Sequence, residues 1–92
     1  MEGLFVSAHA NARMNQRGIR GEVVEVLFAY GRRERSSGAD VYFMDRAARQ
    51  RVRGAIGAKA YARLEKGLDA YLVVSNDGTL ITTAKRLRRF RR

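Results

Sequence analysis

Cysteine and proline are absent from this chain, and histidine occurs once, at His9. Without cysteine there can be no disulfide, no thiolate nucleophile and no thiolate zinc site, a usage that suits a reducing compartment. One imidazole cannot form a histidine metal cluster, and the nine carboxylates are scattered rather than grouped for a hard cation, so neither a metal nor another cofactor is expected. Residues 1–6 lack the basic segment and long apolar run of a secretory signal, and no stretch approaches a membrane span. These absences lead to the expectation of a cytoplasmic protein with no membrane partner.

What is present suffices for one domain. Ninety-two residues, 46% of them hydrophobic, provide one modest core and leave no room for a second. Nineteen Lys and Arg stand against nine Asp and Glu, a net charge of +10, and sixteen of the nineteen cations are arginine. The planar guanidinium grips phosphate bidentately and stacks on bases, so this excess points to nucleic acid as partner. Six of the cations fall in residues 85–92, which contain no acid. Residues 1–85 are therefore read as the domain and residues 86–92 as a basic tail. Such a tail is either a solvated end or a phosphate-binding arm.

Local signals order the elements. Ser7 fits an N-cap, with a helix over Ala8–Arg17 ended by Gly18. On it, Ala10 and Met14 form an apolar stripe, bordered by His9, Arg13 and Arg17 at intervals of four. Val23, Val26, Leu27 and Tyr30 give the second helix its packing face, and Gly31 stops it. Residues 32–36 and 40–45 read as a hairpin around Ser37, Gly38 and Ala39. Asp45 then caps a basic helix over residues 46–53, carrying Arg46, Arg49, Arg51 and Arg53 as a second cationic patch. A helix over residues 55–66 follows, with Lys59, Arg63 and Lys66 on its solvent side and Gly67 at its end. Residues 68–75 and 79–85 form a closing hairpin through Asn76, Asp77 and Gly78. Strict alternation would put Ile81, Thr83 and Lys85 on one face and Leu80, Thr82, Ala84 and Arg86 on the other. The expected fold is α+β: two amino-terminal helices, then a mainly antiparallel four-stranded sheet with one further helical excursion.

Several of these residues resemble a known family. Ser7–Ala8–His9–Ala10, Arg13–Met14, Arg17–Gly18–Ile19, Tyr30–Gly31, Val41–Tyr42–Phe43 and the run from Val73 to Thr82 resemble the bacterial domain of unknown function 4258 over nearly the whole chain. That family is similar to a wider group of small ribonuclease-like domains that includes RelE-type toxins and barnase-like nucleases. The resemblance implies a RelE/barnase-like fold and suggests toxin–antitoxin chemistry, with an antitoxin protein as a partner.

Metal-independent RNA cleavage needs a base, an acid and cations around one phosphate. His9 suits either proton-transfer role, Arg13 and Arg17 would hold phosphate, and Thr83, Lys85 or Arg86 would complete a clamp if the first helix lies across the sheet. A second proton-transfer group is not evident. The competing view is that His9, Arg13 and Arg17 simply lie over the sheet, the arginines paired with Asp45, Asp69 or a carbonyl. Three functions follow from the sequence. One is a toxin-type endoribonuclease acting through His9, Arg13, Arg17, Thr83 and Lys85. Another is a nonenzymatic RNA-, DNA- or ribosome-binding module, with RNA favoured over DNA, that uses Arg46, Arg49, Arg51, Arg53, Arg86, Arg88 and Arg89. The last is a protein-interaction domain meeting an acidic partner, an antitoxin or a copy of itself.

Overall fold

In a computed structural model, which describes residues 3–86, the helix boundaries follow the capping chemistry. Helix α1 (Ala8–Arg17) starts where the Ser7 hydroxyl accepts the Ala10 amide at 3.1 Å, and ends at Gly18, whose amide bonds to the Met14 carbonyl. Helix α2 (Gly21–Tyr30) buries Val23, Val24 and Leu27. Gly31 ends it for a steric reason. Its backbone is extended, but a Cβ there would lie 2.4 Å from the Leu27 carbonyl oxygen and 3.2 Å from that of Phe43.

Strands β2 (Arg32–Ser36) and β3 (Ala39–Phe43) form the first hairpin through Ser37 and Gly38, both at positive φ, so β3 begins one residue earlier than expected. Asp45 caps α3 (Arg46–Ile56) by accepting the Ala48 amide at 2.8 Å. The helical excursion expected after it, read as helices over residues 46–53 and 55–66, is divided differently: α3, α4 (Ala58–Leu64) and a 3-10 turn (Glu65–Leu68). The break falls at Gly57, whose φ of 90° lies outside the range of L side chains, whereas Gly54 stays helical. This keeps Ile56 on the helix, packed against the core. Gly67 serves close packing: a Cβ would come within 2.9 Å of a Val23 methyl.

Strands β4 (Ala70–Ser75) and β5 (Thr79–Lys85) close the sheet. Their turn is fixed by Asp77, whose carboxylate accepts from the Ser75 hydroxyl and from the Thr79 amide at 3.1 Å. Those bonds favour the ionised form and hold the Asp77 carboxyl below its ordinary value, the Ser75 hydroxyl contributing most.

The sheet has five strands among the described residues, not four. A two-residue strand β1 (Phe5–Val6) pairs parallel with β5, and the order is β1-β5-β4-β3-β2. The sheet is therefore mixed. A bulge also corrects the expected alternation. Val73 pairs with Thr82 but Val74 pairs with Leu80, which leaves Ile81 as an extra residue. Leu80 and Thr83 consequently both point into the helix-covered side, and Lys85 follows Thr83 on that face.

All helices contribute to one core on that side, including Ala10, Val24, Leu27, Val52, Leu68, Leu72 and Leu80. Tyr42 joins it, its ring 5.1 Å from that of Phe28. On the opposite face the register aligns Arg32, Phe43, Tyr71 and Ala84 in a row across four strands. Phe5 and Ile81, 71% and 40% exposed, are the large apolar side chains left in solvent among the described residues. Arg86 belongs to the fold and does not open a tail. Its amide donates to the Asp69 carbonyl, its guanidinium donates to the Met44 carbonyl at 2.8 Å, and the same group lies 5.1 Å from the centre of the Phe43 ring. Among the described residues no helix is long and apolar enough to cross a membrane.

Candidate anion-binding cleft

Four cations from separate parts of the chain line one cleft of about 230 Å³: Arg20, Arg63, Lys66 and Lys85. Local chemistry delivers each of them. The left-handed Gly18 turns the chain out of α1 and sets Arg20 at the N-cap of α2, with no side chain capping that helix. Contact between Gly67 and Val23 holds the 3-10 turn against α2, which brings Lys66 to the rim beside Arg63 of α4. The bulge at Ile81 sets the phase of β5 so that Lys85 ends on the helix-covered side. Ile19, Val23 and Leu64, all buried, form an apolar floor.

The charge of the cleft is only partly compensated. Glu22, in the first turn of α2, accepts from Arg20 at 3.5 Å and from Arg63 at 3.3 Å. All three are well exposed, so each pair contributes little to stability; their effect is to orient the two guanidinium groups. Lys66 and Lys85 have no hydrogen-bond or ion-pair partner among the described residues. Four cations and one carboxylate leave a surplus of three positive charges around this opening. Such a site is suited to holding an anion. It contains no imidazole, and Glu22 is already shared by two arginines.

The residues expected to cleave RNA are not gathered at one point. His9, Arg13 and Arg17 do line one side of α1, which lies beside β5. They are spaced about 6 Å apart along the axis, so His9 and Arg17 are separated by about 12 Å. Among the described residues none of the three is held by an ion pair or hydrogen bond, so the expected pairing of Arg13 and Arg17 with Asp45 or Asp69 does not occur. Thr83 is structural: it is 0% exposed, and its hydroxyl donates to the Tyr71 carbonyl at 2.8 Å. A phosphate in solvent cannot reach it. Of the five residues, Lys85 lines the cleft and Arg17 adjoins it through Gly18.

The second cationic patch also divides. Arg46 and Arg53 lie on the outer surface of α3, within about 20° of each other at 100° per residue. Arg49 turns inward to Asp69 at 2.6 Å and the Tyr61 hydroxyl at 3.5 Å. Arg51 donates to the Tyr30 carbonyl at 3.0 Å, tying α3 to the end of α2. Arg88 and Arg89 lie outside the described residues. Among the described residues no three His, Cys, Asp or Glu side chains come together as a metal site.

Sequence reasoning missed Arg20 and placed Arg63 and Lys66 merely on a solvent face. The one local hint was the glycine beside Arg20 and the one beside Lys66, where a chain can approach another closely. No family model matches the chain, and neither the curated proteins nor the solved structures contain a match to it.

Proposed function

We propose that this chain is an RNA-binding domain that anchors a phosphate in the cleft formed by Arg20, Arg63, Lys66 and Lys85. The observation that carries this reading is the convergence of four cations on one opening, two of them without a partner among the described residues. The row of exposed His9, half-buried Arg13 and exposed Arg17 leads along α1 toward that opening and offers further contacts to a polyanion. RNA is preferred to DNA through the resemblance to the ribonuclease-like group. Binding without cleavage is the expected behaviour, because proton transfer at a scissile phosphate needs a base and an acid within hydrogen-bond reach. The cleft brings cations together and no such pair.

The test is incubation of the purified chain with labelled single-stranded RNA in EDTA over a fourfold range of salt, beside a Lys66→Gln, Lys85→Gln variant. A variant of equal charge, Lys59→Gln, Arg33→Gln, serves as control. Each phosphate contact on a single strand contributes about 0.7 to the slope of log affinity against log salt. Lys66 and Lys85 share the one anchored phosphate, so its loss flattens the slope by about 0.7, and over that range the parent should lose about 2.6-fold more affinity than the cleft variant. Equal slopes for the two double variants would refute the cleft as the anchor. Cleavage by the parent that His9→Ala abolishes would establish the toxin-type endoribonuclease instead.

A further inference from the structure

We infer that the cleft takes a terminal phosphate monoester in preference to an internal phosphodiester, an inference that rests on the anion-binding reading of the same site. The first argument is charge. An internal diester carries one negative charge, whereas a phosphate monoester carries about 1.5 to 2 near neutral pH and has three strongly accepting oxygens. With Glu22 counted, the cleft has three positive charges in surplus, more than one diester can neutralise.

The second argument is shape. The opening is bounded by the turn after α1, the start of α2, the end of α4, the 3-10 turn and the last residue of β5. Five segments surround about 230 Å³, with the buried Ile19, Val23 and Leu64 at its floor, a volume of the size that one phosphate group with its hydration fills. The third argument is the backbone. No side chain caps α2, and Arg20, its N-cap residue, lines the cleft together with Val23, whose amide and that of Val24 donate to the Arg20 carbonyl. Lys66 and Lys85 supply mobile charge, and Arg20 and Arg63, held by Glu22, supply fixed forks.

A terminal monoester can come from the 5′ end of an RNA or from a free mononucleotide. The experiment therefore compares one short RNA with a 5′-phosphate, the same RNA with a 5′-hydroxyl, and adenosine monophosphate alone, each titrated at low salt against the parent and the Lys66→Gln, Lys85→Gln variant. The phosphorylated RNA should bind the parent about fivefold more tightly than the hydroxyl form, the scale of one added, partly exposed charge contact. That preference should vanish in the variant, which should have an unchanged melting temperature. Binding of the mononucleotide with no binding of either RNA would support the monoester site and refute the RNA-binding reading. Equal binding of both RNAs to the parent would overturn the terminal-phosphate inference and leave the RNA-binding reading standing. Binding of none of the three would overturn both.

Discussion

Asp45 joins three elements: it follows β3, caps α3 through the Ala48 amide at 2.8 Å, and pairs with Arg32 of β2 at 3.4 Å. Replacing it separates the cap from the charge. Asp45→Ala removes both, at a cost of about 1.5 kcal/mol, most of it the cap. For a chain of this size that lowers Tm by about 6–12 °C. Asp45→Asn retains a capping oxygen and removes only the charge, so its cost should be about 0.5 kcal/mol. The two variants differ further in acid. The Ala48 amide, then Arg32, holds the Asp45 carboxyl below its ordinary value of 3.8. A carboxyl depressed in the folded state stabilises the fold above its unfolded value and ceases to do so as pH falls through the lower folded value. Thermal melts of the three proteins at several pH values should therefore show the parent ahead of Asp45→Asn by a constant margin at neutral pH. The margin should close below about pH 3.8. An Asn variant as unstable as the Ala variant at pH 7, or a margin that survives full protonation, would refute the division between cap and charge.

Two further substitutions probe the packing around the sheet. Gly31→Ala places a methyl 2.4 Å from the Leu27 oxygen, which cannot retreat without losing its bond from the Gly31 amide. Denaturant unfolding should show a loss of about 2–3 kcal/mol. Thr83→Val removes the buried bond to the Tyr71 carbonyl at nearly constant volume, and the same measurement should show a loss of about 1 kcal/mol. RNA affinity measured on that variant should equal the parent's, and a large loss of affinity with unchanged stability would instead return Thr83 to the binding site.

The elements that were legible in the sequence are those fixed by local chemistry. Ser7 and Asp45 cap helices through their own oxygens, and Asn76–Asp77–Gly78 closes a hairpin within three residues. Other features depend on partners that local reading cannot supply. Strand β1 exists because Phe5 and Val6 meet Thr79 and Leu80 from the far end of the chain; on its own, a two-residue apolar segment has no period. The bulge at Ile81 breaks an alternation that is otherwise regular, and it moves Thr83 from a candidate clamp into the core. Local signals end the basic helix at residue 53 and run the next over residues 55–66, whereas the break falls at Gly57, because Ile56 packs on the core from α3. The cleft was least legible, because it unites residues near positions 20, 65 and 85 that share no local motif.

The distribution of partners changes what the arginine excess means. Arg32 serves Glu34 and Asp45, Arg35 serves Asp40 and Asn76, Arg49 serves Tyr61 and Asp69, and Arg51 and Arg86 hold backbone carbonyls. In these places the guanidinium fork joins strands and helices that a small core leaves loosely connected, so part of an apparent nucleic-acid signal is architecture. The three lysines of the chain are the opposite case. As compact charges on flexible stems they make poor internal staples, and Lys66 and Lys85 have no partner among the described residues while lining the same opening. In a chain that uses arginine for its own cohesion, those two lysines support the proposed anion site more directly than any count of cations.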